Sequence, residues 1–152
     1  MTGETDPAAI ARAIVDTNLY MVLGTADQSG RPWVTPVYFA HASYHEFFWV
    51  SSPDATHSRN IDMRSEVSIV VFDSSVPIST GQGVYMSATA EELARGERAA
   101  ALAVYSRRTL AHGGREWALK DVQSPARLRL YRAVALEHYV LDAHDRRVRV
   151  TV

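Results

Sequence analysis

The chain has 152 residues, no cysteine, and sixteen Lys and Arg against seventeen Asp and Glu, for a net charge of -1 at pH 7. That length fits a single domain, residues 1–152, with a core large enough to need no staple. The missing cysteines exclude disulfides and thiolate metal sites, and the charge balance supplies no global field that would draw nucleic acid.

Met1 to Ala9 carry Glu4, Asp6 and Pro7, not the basic and then apolar order of a secretory signal. No apolar run approaches the roughly 20 residues that cross a bilayer, so a cytoplasmic location is expected. Pro7 to Thr17 reads as a short helix, with Asp6 as cap, Pro7 at the first position and Ile10, Ile14 and Val15 at helical spacing. Leu19–Ala26, Trp33–Ala40 and Tyr44–Ser51 read as three strands joined by short turns at Asp27–Gly30 and His41–Ser43.

Thr56 to Arg64 reads as a short helix or turn, with Thr56 as its cap. Val67–Phe72 is a fourth strand, apolar almost without alternation, which predicts burial on both faces. Such a strand needs cover, and a second copy of the chain would supply it in a two-fold dimer. After a loop with Pro77, Gly81 and Gly83, Val84–Leu93 forms a fifth strand, alternating Val84, Met86, Ala88 and Ala90 with polar residues. Arg95 to His112 is the clearest helix, with Ala99, Leu102, Ala103, Tyr105 and Ser106 on one face and Gly113-Gly114 ending it. Trp117 to Val122 is irregular. Arg127–Leu141 is a long sixth strand, with Leu128, Leu130, Arg132, Val134, Leu136, His138 and Val140 on one face. Arg147–Val152 is a short seventh strand or a tail. Six strands with few helices predict a mainly β fold, a small antiparallel barrel, with the late helix packed over one end.

Familiar catalytic constellations are missing. The sequence has no G-x-S-x-G elbow, no H-E-x-x-H and no Walker loop. The six histidines share no metal-ligand spacing, and His41 and His45 flank a turn where solvent satisfies them. No metal site is expected, and no catalytic residue is assigned. Glu91 and Glu92 point to opposite faces of a strand and form no acid pair.

The stretch SSPDATHSRN, Ser51 to Asn60, concentrates hydrogen-bonding groups between two apolar runs. Two readings fit it. One is a solvated, capped turn. The other is an anion site, in which free helix N–H groups and the dipole join the hydroxyls of Ser51, Ser52, Thr56 and Ser58 and the bases His57 and Arg59.

The order TADQSGRPWVTPVYFA, EFFWVSS, THSRNIDMRSEVSIVVFD and GVYMSATAEEL resembles the flavin-binding split-barrel family typified by pyridoxamine 5′-phosphate oxidase. The resemblance runs from Leu19 to Leu93, with a weaker match at RLRLYRAVALEHYVL. It implies a six-stranded antiparallel split barrel, the FMN-binding split barrel, with a few peripheral helices. It also implies a homodimer holding FMN, or in some branches a deazaflavin coenzyme of the F-420 type, at the subunit interface. By that resemblance Thr35, Pro36 and Val37 run beside the flavin ring. Ser51, Ser52, Thr56, His57, Ser58 and Arg59 hold the phosphate, and Asn60 supports the turn. Gln82 approaches the flavin from its glycine loop, Thr80–Gly83, of the same or of the other subunit, and Trp117 reaches the cofactor. Trp33, Pro36, Val37 and Trp49 offer apolar walls. The family often has lysine where His57 stands, and a substrate set like that of the oxidase itself is not matched. The implied function is an FMN-dependent oxidoreductase acting on a small molecule. The alternatives are a deazaflavin-dependent reductase or a non-enzymatic, stress-related flavin binder.

Overall fold

A computed structural model describes residues 5–152; for residues 1–4, the expectation about a secretory signal lies outside the described residues. Helix α1 spans Pro7–Thr17, as its cap and first proline predict. The Asp6 carboxylate accepts from the Ala8 N–H at 3.1 Å and satisfies one of the donors that a helix start leaves open.

Strands β1 (Tyr20–Ala26), β2 (Pro32–Tyr38), β3 (Ala40–Ala42) and β4 (Glu46–Ser51) follow, then helix α2 (Thr56–Met63). Strands β5 (Glu66–Phe72) and β6 (Gly83–Glu92), helix α3 (Arg98–Ala111), and strands β7 (Arg129–Leu141) and β8 (Arg147–Val150) complete the order. All pairings are antiparallel, in the spatial order β2-β1-β5-β6-β7-β4-β3, with β8 added to β7. The two ends of that path are one stretch of chain. β2 pairs with β1, and after the single residue Phe39 the same segment pairs with β4 as β3. Counting β2 and β3 as one bent strand and β8 as an appendage recovers the expected six-stranded split barrel.

The interior holds Leu23, Phe39, Trp49, Ile69, Val71, Val84 and Tyr131, with Trp49 stacked on Tyr131 at 5.7 Å between ring centroids. Ala11 and Val15 of α1 and Ile61 of α2 join this cluster, so these two helices help close the barrel. Helix α3 does not pack over an end, contrary to expectation. It lies on the outer face of the β3–β4–β7 side, over Ala40, Phe48 and Leu130. Its buried residues are Ala101, Leu102, Tyr105, Ser106 and Thr109, while Ala99 and Ala103 are exposed.

Two further expectations fail for physical reasons. Strand β5 alternates: Val67, Ile69 and Val71 are buried, Glu66, Ser68 and Phe72 are exposed, and Val70 is half-buried. Among the described residues no helix covers its outer face. Strand β7 does not keep one phase. Ser87 pairs with Glu137 but Ala88 pairs with Ala135, so Leu136 is an extra residue in a bulge. Tyr131, Ala133 and Ala135 face inward before it, and His138 and Val140 after it, while Leu136 is 61% exposed.

The bulge puts His138 inside. Its Nε2 lies 2.6 Å from the Tyr44 carbonyl, which can only accept, so Nε2 carries the proton. This bond ties down the β3–β4 turn, where Ser43 and Tyr44 both take positive φ, 53° and 60°. His41 is not simply solvated either: its Nε2 lies 3.0 Å from an Asp16 oxygen.

Candidate functional site

The sequence-predicted residues fall in three places. The first is the start of α2. Ala55, not Thr56, occupies the N-cap position, so the helix has no side-chain cap and Thr56 is its exposed first residue. The approach is set by a local turn instead: Ala55 N–H donates to the Ser52 carbonyl at 3.2 Å, and Asp54 N–H to Ser52 Oγ at 3.1 Å. The Arg59 N–H already donates to the Ala55 carbonyl. The preceding N–H groups of Thr56, His57 and Ser58 lie at the open end that a capped helix would satisfy.

Around this end stand Ser51, at the close of β4, and His57, whose Nε2 is 2.9 Å from Ser51 Oγ. Arg59 is exposed, and its guanidinium reaches back to Asp54 at 3.6 Å, beside the helix start. Ser58 points inward and is fully buried, and Trp49 Nε1, Ser58 Oγ and Tyr131 Oη are buried without a hydrogen-bond partner. Trp49 is therefore core and no cofactor wall. Asn60 fixes the helix to the barrel, donating from Nδ2 to Thr25 Oγ1 at 3.0 Å. β2 runs alongside, since α2 packs on β1 and β2. There Thr35 is half-buried and Pro36 exposed, whereas Val37 turns into the core and offers only backbone.

Burial pushes the His57 imidazole below its ordinary 6.5, and does the same to His138. Both then remain neutral in the folded chain after the unfolded chain has taken up protons. Stability is fully present above about pH 6.5 and falls as pH drops below it, levelling once the folded histidines protonate. The slope is at most about 1.4 kcal/mol per pH unit per histidine. Urea midpoints at pH 7.5 and pH 5.5 will differ accordingly, and His138→Gln, which keeps a donor for the Tyr44 carbonyl, will shrink the difference. Equal midpoints would refute this account.

The second place is the far end of β7. Gln82 donates from Nε2 to the Leu141 carbonyl at 2.9 Å, and its Oε1 accepts from the N–H groups of Leu141 at 2.8 Å and Gly83 at 3.0 Å. Its amide is a clamp between the loop and β7. Gln82→Ala will cost about 1–2 kcal/mol in chemical denaturation, since part-buried backbone groups lose their partners. A change below about 0.3 kcal/mol would show the clamp idle.

The third place holds Trp117, on the α3 side. Its N–H donates to Ser106 Oγ at 2.7 Å, its ring meets Tyr105 edge-on, and the Arg115 guanidinium lies 3.8 Å over it. The fold does not bring Trp117 or Gln82 into the α2 cluster.

Sequence reasoning missed a groove on the uncovered outer face of β1, β5 and β6. It has a volume of about 590 Å³ and is lined by Val22, Gly24, Val34, Ser68, Val70 and Tyr85 among others. A neighbouring groove of about 630 Å³ shares Gly24, Val34 and Ser68 and adds Trp33 and Leu136. Trp33 is 51% and Val34 67% exposed. The signal was available in β1, where buried Met21 and Leu23 alternate with outward Val22 and Gly24.

A curled antiparallel sheet closed by one bent strand, with an uncapped helix after its fourth strand, defines a split-barrel protein. Residues 9–139 match the family of pyridoxamine 5′-phosphate oxidase, and the chain belongs to that family. No curated protein matches the chain significantly. The heme-binding protein from Mycobacterium smegmatis has a similar structure, with a TM-score of 0.76 at 20% identity, covering 97% of this chain and 59% of that one. HutZ, the heme storage protein from Vibrio cholerae, gives 0.67 at 20% identity over 86% of this chain and 91% of that one. An F-420 reductase gives 0.62 at 18% identity over 84% and 94%. At these identities the likeness concerns the fold alone. Among the described residues no helix is long and apolar enough to cross a membrane.

Proposed function

We propose that this protein binds FMN, with the phosphate at the start of α2, and serves as a flavin-dependent oxidoreductase for a small organic molecule. The observation that carries the reading is the uncapped α2 terminus beside Ser51, Ser52 and His57. An anion there gains backbone donors and the positive end of the dipole. Ser51 and Ser52 orient it, Asn60 keeps the helix in register, and Arg59 adds charge when it leaves Asp54. β2, through Thr35, Pro36 and the Val37 backbone, lies on the side where a ring could be held. The bound flavin supplies the redox chemistry, while the chain binds, orients and shields it.

A homodimer with the cofactor at its interface belongs to the same reading. Its support is the exposed apolar groove on β1, β5 and β6, where Val34 awaits cover, together with Phe72, exposed at the end of β5. A deazaflavin coenzyme is the second candidate, supported by the likeness to an F-420 reductase. The test is absorption of purified protein after loading with FMN and removal of the excess, read alongside its mass in solution. A retained flavin band on a dimer is expected. A dimer that retains a deazaflavin or heme but not FMN would replace the reading, and a monomer retaining none of them would end it.

A further inference from the structure

The loop after α3 doubles back and builds a cavity that the α2 site does not use. Gly113 takes φ +79°, and the Gly114 N–H donates to the Thr109 carbonyl at 2.7 Å. A Cβ at Gly114 would meet the Thr109 carbonyl oxygen at 3.0 Å and Thr109 Cβ at 3.3 Å, so glycine permits the tight return. Ser106 Oγ then clamps the backbone of Trp117, donating to its carbonyl and accepting from its N–H, and Thr109 Oγ1 donates to the Arg115 carbonyl at 2.7 Å. This return sets Arg115 and Trp117 beside Tyr105 and across from Tyr20 and Tyr38 of the barrel.

The result is a pocket of about 380 Å³ whose walls include Tyr20, Tyr38, Tyr105, Trp117, His112 and Arg115. That is small, but within the range of ligand sites. Its lining holds two basic side chains and no carboxylate. The aromatic rings stand edge to face, Tyr38 against Tyr105 at 5.8 Å and Tyr105 against Trp117 at 5.7 Å, and Arg115 covers one face of Trp117 at 3.8 Å, so a flat aromatic guest meets the ring faces and edges that these contacts leave free. Tyr105 is the telling residue. It is only 5% exposed and lines the cavity, yet no hydrogen bond perturbs its hydroxyl among the described residues. Burial pushes it up to about 12, so it meets any guest as a donor. Tyr38 Oη is held by His112 Nδ1 at 2.7 Å, which fixes both rings at the rim. Arg115 is anchored through Nη1 by Asp121 at 3.1 Å, and this carboxylate, outside the lining, steadies the guanidinium while offsetting part of its charge.

We infer that this pocket binds a small planar aromatic carboxylate, with Tyr105 Oη donating to the carboxylate, Arg115 pairing with it, and Tyr38 and Trp117 enclosing the ring. The site is separate from the α2 cluster and does not depend on flavin binding there.

The probe is 2-naphthoate, titrated calorimetrically into the full chain, with 2-naphthalenemethanol as its neutral counterpart. The naphthoate will bind at least about tenfold tighter than the alcohol, as charge-assisted donors require. Tyr105→Phe keeps the ring and will weaken naphthoate about tenfold while leaving the alcohol unchanged. Arg115→Gln, on a side chain 56% exposed, will weaken it a few-fold and cannot be blamed on misfolding. Saturating FMN will not displace the probe. No binding by the wild type, equal affinity for acid and alcohol, indifference to both substitutions, or displacement by FMN would each overturn the assignment. Failure of FMN to bind at α2 would leave the naphthoate result untouched.

Discussion

Thr56→Asp is expected to weaken FMN binding by about 50–100-fold while leaving the protein as stable as before or slightly more so. Thr56 is exposed at the first position of an uncapped helix. A carboxylate there complements the dipole, which stabilises the helix by about 0.3–1 kcal/mol. The same charge stands where the phosphate would lie. Two unit charges about 4 Å apart near a protein surface repel by about 4 kcal/mol, less with full solvent access, and every 1.4 kcal/mol is a factor of ten. Opposite signs for stability and affinity separate an occupied anion site from a merely fragile loop. Thr56→Asn controls for shape and will change neither quantity much. Titration of apo protein with FMN, next to urea denaturation, reads both. Wild-type affinity in the aspartate variant would move the phosphate elsewhere on the barrel.

Trp49→Ala is expected to cost about 3–5 kcal/mol and lower Tm by about 10 °C or more. The indole is fully buried between the sheet faces and stacks on Tyr131, so truncation leaves a cavity where the barrel is most tightly filled. Trp49→Phe will cost about 1 kcal/mol. It keeps most of the packing and removes an N–H that is buried without a partner, whose burial itself costs about 1–3 kcal/mol. A loss below about 1 kcal/mol for the alanine variant would contradict the packing described for the interior. Ligand binding at the α3 pocket, on the outer face, should survive the phenylalanine variant.

Much of this protein was legible because local chemistry decided it. Asp6 and Pro7 start α1 where a cap and a fixed φ dictate, and β6 buries Val84, Met86, Ala88 and Ala90 as its alternation requires. The anion-site candidate could be read as a cluster, although the cap position shifted from Thr56 to Ala55 because a turn through Ser52 and Asp54 controls the entry. Gln82 and Trp117 could not be placed, because what a side chain meets 59 or 11 residues away is a property of the packed fold. Leu136 makes the same point within one strand: a single extra residue against Ser87 and Ala88 reverses every later side chain, and no pattern local to β7 announces it.

β4 and β5 show where the boundary lies. Phe47–Val50 and Val67–Phe72 both read as apolar runs, and the sequence alone determined that each lies in a strand with a face in the barrel, although it predicted burial of both faces for Val67–Phe72. Only the tertiary structure decided the other face. Helix α3 lies over Phe48, so β4 is buried on both sides, whereas nothing among the described residues covers Phe72, and β5 opens onto a groove. The difference arises because burial of a strand's second face depends on which distant element the chain returns to it, and period-two patterning carries information about alternation, not about that return.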